Sequence, residues 1–107
     1  MDSFLTHLGL CFRASKLAVG EEPVREALAA GKARVVLVAN DASPHTRRKL
    51  EPKLVDVPLQ EVGVSKAELG RALGRESCAI CAVCDKGFAQ GLVQRLTNTN
   101  PDGGVTI

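Results

Sequence analysis

The sequence predicts an α/β fold: a three-layer α/β/α sandwich around a mixed, mostly parallel four-stranded sheet. Short apolar runs alternate with segments of helical periodicity along the chain, and two of the runs are apolar at every position. A strand that is apolar on both faces lies inside a sheet covered by helices on each side. The length of 107 residues, 45% of them hydrophobic and 24% charged, suits one globular domain.

The first third of the chain predicts two helices and one strand. Apolar residues at helical spacing predict a first helix over 3–15, and a short apolar stretch predicts a strand over 17–19. A second helix is expected over 21–30. Pro23 suits its first turn, and Gly31 suits the position just past its end.

The middle of the chain predicts a central strand, a short helix and a second strand. Residues 35–39 are continuously apolar and mostly β-branched, which indicates a buried strand. Ser43 followed by Pro44 predicts the cap and first residue of a third helix, which Pro52 ends. A short strand is expected over 57–61.

The last third predicts a helix, a strand and a final helix. Ser65 and Glu68 have the spacing of a capping box, which opens a fourth helix ending near Gly74. Residues 78–84 are predicted to form a buried strand. Asp85 then caps a last helix over 86–96.

The chain as a whole predicts one cytoplasmic domain over residues 1–96. Residues 97–107 are mostly Thr, Asn, Pro, Asp and Gly, and we expect them to be a disordered tail. No apolar run is long enough to span a bilayer, and the first residues lack the basic and apolar parts of a signal peptide. In the cytoplasm, the four cysteines would stay reduced.

Three of these cysteines, Cys78, Cys81 and Cys84, have the spacing that opens a ferredoxin cluster motif. The further cysteine that the motif needs is missing after Cys84. Along an extended strand, a spacing of three also sends successive side chains to opposite faces, so we expect Cys78 and Cys84 to share a face without Cys81. The interpretation is therefore buried thiols, with no metal and no cofactor.

Nothing in the sequence indicates catalysis. His7 and His45 have no nucleophile or metal ligand at a recognisable spacing. The chain also lacks a phosphate-binding loop, a dinucleotide fingerprint and a nucleophile elbow. We expect no catalytic residues, and hence a protein that is not an enzyme.

The Lys and Arg residues leave two interpretations open. They either form ordinary solvent-exposed faces of the protein or contact the phosphates of a nucleic acid. The net charge of +2 decides little. With three Phe, no Trp and no Tyr, the chain is poorly equipped to stack single-stranded bases on aromatic rings. If it binds RNA, it does so through backbone groups, Lys and Arg, and loop shape.

Four stretches together resemble the L7Ae ribosomal-protein family, and within it the bacterial YlxQ-like branch. They are Gly20-Glu21-Glu22 with Gly31 nine residues later, Val36-Leu37-Val38-Ala39-Asn40-Asp41-Ala42-Ser43, Leu69-Gly70-Arg71-Ala72-Leu73-Gly74, and Asp85-Lys86-Gly87-Phe88-Ala89. The resemblance covers residues 4–96. It implies an α/β/α sandwich that binds kink-turn RNA.

The resemblance also implies where RNA would be held: at the N-terminus of the second helix and in neighbouring loops. Free N–H groups and the positive end of the helix dipole attract phosphate there. Ten residues carry over as the RNA-binding set: Lys16, Gly20, Glu21, Glu22, Arg25, Asp41, Lys66, Arg75, Glu76 and Ser77.

The chain departs from the family pattern at this helix. Strong kink-turn binders carry Asn-Glu after the glycine and Lys three residues beyond that Glu. Here Glu22, Pro23 and Glu26 occupy those places, and the two carboxylates would repel phosphate. The sequence thus favours a protein that binds structured RNA, with ribosomal RNA as one candidate. We expect neither DNA nor a membrane as a partner. The alternative is a protein-interaction module that kept the fold and lost its RNA contacts.

Overall fold

Nine helices and strands succeed one another in the computed structural model, which describes residues 2–99. In chain order they are α1 (Asp2–Arg13), β1 (Leu17–Val19), α2 (Glu21–Ala29), β2 (Val35–Val38), α3 (Pro44–Leu50), β3 (Leu59–Glu61), α4 (Lys66–Ala72), β4 (Ile80–Val83) and α5 (Lys86–Thr99). A 3₁₀ turn over Glu51–Lys53 follows α3, so Pro52 ends the α-helix as expected.

The four strands form one mixed sheet in the order β1-β4-β2-β3. The prediction of a mixed four-stranded sheet is confirmed, but the expectation that most pairs are parallel is wrong. Only β2 and β3 pair in parallel, whereas β4 runs antiparallel to both of its neighbours.

The reversal of β4 follows from the path of the chain around α4. After α4, the chain doubles back along the helix, and the N–H of Cys78 donates to the carbonyl of Lys66 at 2.9 Å. The chain therefore enters β4 at the end of the sheet where β3 finished. Because β4 is an inner strand, this single reversal makes two of the three pairs antiparallel.

The sheet separates two apolar cores. Phe4 and Leu8 of α1, Leu69 of α4 and Leu92 of α5 pack on one face, against Val35, Leu37, Cys81 and Val83. Val24 of α2 and Leu50 of α3 pack on the other, against Val36, Val38, Ile80 and Ala82. Alternate residues of β2 and β4 thus face opposite cores, which confirms the three-layer arrangement predicted from their fully apolar sequences.

The predicted helix caps are present. The Ser43 hydroxyl accepts from the N–H of His45, Ser65 and Glu68 form the capping box of α4, and Asp85 accepts from the N–H of Phe88. Helix α5 continues to Thr99, three residues past its predicted end, and residues 100–107 of the predicted tail lie outside the described part of the chain. Among residues 2–99, no helix combines the length and apolarity needed to cross a bilayer.

Candidate nucleic-acid interface

One end of the sheet gathers most of the residues that the sequence assigned to RNA binding. β1, β2 and β3 finish there and β4 begins there, since Val19 pairs with Cys81 and Val38 pairs with both Ile80 and Glu61. We call this the interface end. It comprises the start of α2, the loop after β2, the start of α4, and residues 75–79 before β4.

Gly20 fixes the start of α2 at the interface end. Its N–H donates to the carbonyl of Ile80 at 3.0 Å, and its φ of 99° and ψ of 166° are accessible to glycine but strained for other residues. No side chain caps α2, whose first turn contains Glu21 and Glu22. The N–H groups of this turn therefore remain available to an acceptor outside the helix.

The carboxylates of this turn are paired with cations. Glu21 forms a salt bridge with Lys49 of α3 at 3.2 Å, and Glu22 forms one with Arg25 in the next turn of α2. All four side chains are at least one-third exposed. Pairs this exposed contribute only about 0–1 kcal/mol each and open readily in salt. Glu26 is exposed on the same helix.

Asp41 joins the loop after β2 to the start of α4. Its Oδ1 accepts from the N–H of Lys66 at 2.8 Å, and the neighbouring Asn40 donates its N–H to the carbonyl of Val64 at 2.9 Å. One oxygen of Asp41 is therefore engaged within the protein. Asp41 thereby positions Lys66, which is the first residue of α4 and is half-buried.

The segment of residues 75–77 lies against α4 beside Lys66. The N–H of Arg75 donates to the carbonyl of Gly70 at 2.7 Å, and the backbone of Ser77 crosses directly over Gly70. A Cβ on Gly70 would lie 2.5 Å from the Cα of Ser77, so only glycine allows this approach. The side chains of Arg75, Glu76 and Ser77 are exposed.

Lys16 is the one predicted site residue that the structure does not bring to this end. Its carbonyl accepts from the N–H of Cys84 at 2.8 Å, at the end of the sheet where β4 finishes. The three residues of β1 separate Lys16 from Gly20, a distance of roughly 13 Å along an extended strand. The other nine lie at the interface end or on the α2 turn above it.

The sequence did not single out Gly70 or Lys49 as part of this end. Gly70 fixes the segment of residues 75–77, and Lys49 neutralises Glu21 across 28 positions of sequence. A glycine inside a helical pattern indicates a close approach and was the available signal for Gly70. No local pattern could have paired Lys49 with Glu21.

The cysteines are arranged differently from the expectation. Cys78 and Cys81 lie on the same core face, where the Cys78 thiol donates to the carbonyl of Ile80 at 3.3 Å, whereas Cys84 packs toward the other core. The strict alternation of a strand does not apply to Cys78, because β4 begins only at Ile80. Within residues 2–99, no three or more His, Cys, Asp or Glu side chains are grouped to hold a metal. That purified protein contains no iron or zinc stays a prediction for elemental analysis.

Burial, hydrogen bonds and neighbouring charges shift the pKa values of several thiols and of His7. Burial raises the pKa of the Cys11 thiol to about 12, and the hydrogen bond to Cys78 together with burial holds the pKa of Cys81 well above its usual range. Burial and the charge of Arg95 lower the pKa of His7, whose ring packs at 5.2 Å from that of Phe88. His45 is exposed on the first turn of α3.

Known proteins resemble the chain in both sequence and fold. Residues 3–93 match the sequence profile of the ribosomal protein L7Ae/L30e/S12e/Gadd45 family. The RNA-binding protein YlxQ of Bacillus subtilis (strain 168) is 40% identical over 91 residues, which cover 83% of this chain and 90% of that protein.

Two solved structures share the architecture. A protein of unknown function from Bacillus halodurans C superposes with a TM-score of 0.79 at 36% identity, over 87% of this chain and 95% of the other. The Giardia lamblia 15.5kD RNA binding protein superposes with a TM-score of 0.70 over 86% of this chain and 82% of the other, and at 22% identity it supports the fold alone. From sequence and fold together, the chain belongs to the ribosomal protein L7Ae/L30e/S12e/Gadd45 family, in its YlxQ-like branch.

Proposed function

We propose that this protein binds structured RNA of the kink-turn type through the interface end, as a non-catalytic cytoplasmic component. The observation that carries the proposal is the convergence of Gly20, Lys66 and residues 75–77 at one end of the sheet, held there by backbone hydrogen bonds. Such a preformed surface would bind without reorganising its backbone.

The chemistry of this end suits an RNA backbone and exposed base edges. Uncapped N–H groups at the start of α2 can donate to phosphate or base acceptors, and Lys66 and Arg75 supply positive charge. The relatives named as RNA-binding proteins add support. Described aromatic rings are few and lie toward the core, so recognition by shape and hydrogen bonds is favoured over stacking.

The acidic residues of α2 need not prevent binding. Glu21 and Glu22 are paired with Lys49 and Arg25, and exposed pairs exchange partners at little cost. A phosphate arriving at the α2 turn can take Lys49 and Arg25 as its own partners. We therefore expect affinity for kink-turn RNA to be present but weaker than in members with Asn and Lys at these places.

The test is a comparison of two cations on the same helix. Lys66→Gln and Arg71→Gln each remove one positive charge from α4, but Lys66 lies at the interface end and Arg71 lies in the groove between α4 and α1. We expect Lys66→Gln to weaken kink-turn binding by roughly tenfold, the loss of one phosphate contact, and Arg71→Gln to change it less than twofold. Titration at fixed salt, with an unkinked duplex as control, measures both.

A protein-interaction module remains the second candidate, favoured by the acidic residues Glu21, Glu22 and Glu26 at the interface end. In that case the purified protein would carry no nucleic acid. Since the chain has no Trp and no Tyr, its own absorption in the near ultraviolet is weak, and copurified RNA would dominate that region of the spectrum. Kink-turn binding no stronger than duplex binding, together with an RNA-free preparation, would favour this candidate.

Association with ribosomal RNA follows as a narrower form of the proposal. If the RNA is ribosomal, the protein should sediment with ribosomal subunits in a gradient at low salt and leave them at high salt, because its phosphate contacts weaken as salt rises. If the protein stays at the top of the gradient at both salt concentrations, ribosome association is contradicted, but the proposal of kink-turn binding is unaffected.

A further inference from the structure

We propose that the end of the sheet opposite the interface end is a second RNA-contacting surface, in which Lys16, Lys32 and Arg34 hold phosphates of an RNA arm that continues past the interface end. This inference rests on the proposed function, since it assigns a second contact to the same RNA. We call the surface formed by these three residues the basic end.

Hydrogen bonds of the sheet fix two of the three cations on either side of the end of β4. The N–H of Cys84 donates to the carbonyl of Lys16 at 2.8 Å, and the N–H of Arg34 donates to the carbonyl of Val83 at 2.7 Å. Lys16 and Arg34 therefore flank the last residues of β4 from the neighbouring strands. Two strand spacings place their backbones about 10 Å apart.

Lys32 completes the group just past the end of α2. Gly31, with a φ of 71°, ends the helix, and the N–H of Lys32 donates to the carbonyl of Ala27 at 2.9 Å. Cys84 lies among all three cations. Burial raises the pKa of its thiol, while the charges of Lys32, Arg34 and Lys16 act to lower it. Three chain segments thus bring positive charge to one place.

The basic end has little negative charge of its own. Arg34 and Lys53 line a shared cavity of about 330 Å³, in which Asp56 is the carboxylate. Asp85, next to Cys84, uses one carboxylate oxygen to cap α5 through the N–H of Phe88 at 2.9 Å. Lys16, Lys32 and Arg34 are exposed, and none of them forms a salt bridge within residues 2–99.

The two ends of the sheet differ in how their cations are used. The three salt bridges found in the described part of the chain all lie at the interface end, where Glu21, Glu22 and Glu61 pair with Lys49, Arg25 and Arg47. Cations engaged in this way attract phosphate less than unpaired ones. The three cations of the basic end therefore act on a polyanion without an internal partner, in addition to Lys66 and Arg75 at the interface end.

An RNA duplex is long enough to reach both ends. The described chain measures 37 × 28 × 27 Å, and one turn of A-form RNA duplex extends for roughly 30 Å. An RNA arm that leaves the interface end and follows the molecule passes the basic end within roughly one helical turn. Contacts to phosphates do not read the base sequence, so the Lys and Arg side chains of the basic end can make them without any group that recognises a base.

The experiment compares a kink-turn RNA whose arms extend well beyond one helical turn with the same kink-turn on short arms. Lys16→Gln with Arg34→Gln removes two positive charges from the basic end. The control, Arg13→Gln with Arg71→Gln, removes two from the groove between α1 and α4. Circular dichroism melting of all three proteins checks that they remain folded, and titrations over a range of salt concentrations give the affinities.

We expect the double change at the basic end to weaken binding of the long-armed RNA roughly tenfold or more at about 0.1 M salt. The slope of log affinity against log salt should become shallower by about two contacts, while the control keeps the parent's slope. Binding of the short-armed RNA should change less than twofold in either variant, because its arms end before the basic end.

Each alternative gives a distinct result. If arm length makes no difference to the parent, or both double variants lose the same affinity, the basic end does not contact RNA, even where kink-turn preference persists. If the basic-end variant melts at lower temperature yet binds the long-armed RNA as the parent does, the cations stabilise only the fold, and the inference is overturned. If the parent binds kinked and unkinked long RNAs equally, while the basic-end variant alone loses affinity, the proposed function fails and the basic end stands.

Discussion

The absence of one methyl group at position 70 sets how closely α4 and the segment before β4 approach. A Cβ there would lie within 2.5–2.8 Å of three backbone atoms of Ser77. Backbone atoms cannot move aside as the tip of a side chain can, so the whole segment of residues 75–77 would have to shift. This segment contains Arg75 and leads into Cys78, whose N–H is bonded to Lys66.

Gly70→Ala should therefore lower the free energy of unfolding by about 1–3 kcal/mol, the usual cost of overpacking. It should also weaken RNA binding by displacing Arg75. Gly9→Ala is the matched control, since its Cβ would lie 3.4 Å from the carbonyl oxygen of Ala72 and 3.8 Å from Nη2 of Arg13, both ordinary contact distances. Alanine within α1 should be neutral or stabilise by about 0.5–1 kcal/mol. Denaturant titration gives both values, and equal stabilities for the two variants would contradict the close contact.

At the scale of elements, the caps and apolar runs could be predicted because their causes are local. Ser43, Ser65 and Asp85 cap their helices through bonds that span two or three positions of sequence. Their predictions held for that reason. The direction of β4 could not be predicted, because it depends on a bond between Cys78 and Lys66, twelve positions apart, that folds the chain back along α4.

The candidate site divides in the same way. The start of α2 comes directly after β1, and the loop that contains Asp41 comes directly after β2. Because β1 and β2 run in the same direction, the two segments lie at the same end of the sheet, which could be predicted from the sequence. Lys16 lies at the opposite end of the sheet from Gly20, because the two residues flank β1 on either side. The direction of the strand decides this.

Helix α2 offers the sharpest test at this scale. The triple change Glu22→Asn, Pro23→Glu and Glu26→Lys restores the family pattern and makes the chain more positive by two charges. It also releases Arg25 from its pair with Glu22. One new charge-assisted hydrogen bond contributes on the order of 1.5–3 kcal/mol, so kink-turn affinity should rise roughly ten- to hundredfold.

The control for α2 separates charge from position. Glu51→Gln with Asp56→Gly and no change in α2 also makes the chain more positive by two charges, but at the 3₁₀ turn after α3 and in the loop that follows it. This variant should raise kink-turn affinity far less than the triple variant. If the triple variant remains folded by thermal melting and binds kink-turn RNA no better than the parent, then α2 is not the RNA-reading element.

At the scale of the whole molecule, the sheet divides the interior into two cores that differ in chemistry. The core beneath α1, α4 and α5 contains Cys11, Cys78 and Cys81, while the core beneath α2 and α3 is almost purely aliphatic. Buried thiols pack as small apolar groups only while they keep their protons. The stability of the fold is therefore linked to pH through these thiols.

The sign of this linkage follows from Cys11. Burial first, then the Asp85 carboxylate and Cys84, raise its pKa from an ordinary 9.0 to about 12. Below pH 9 the thiol is protonated in both states, and its contribution is fully present. Between about pH 9 and 12 the unfolded chain has lost a proton that the folded chain keeps, so the free energy of unfolding falls as pH rises.

Each such group should lower the free energy of unfolding by up to about 1.4 kcal/mol per pH unit within that window. Denaturant titrations between pH 8 and about 11 should therefore show a steep decline in the parent, with Cys81 contributing in the same direction as Cys11. Cys11→Ala should be less stable at pH 8 but decline less steeply above pH 9, because the proton that Cys11 retains in the folded state is gone. Val19→Ala removes apolar volume from the same core without removing a thiol, so it should lose stability at every pH and keep the parent's slope. A Cys11→Ala variant that declines as steeply as Val19→Ala would mean that Cys11 ionises normally in the folded protein, and that this core does not set the alkaline limit of the fold.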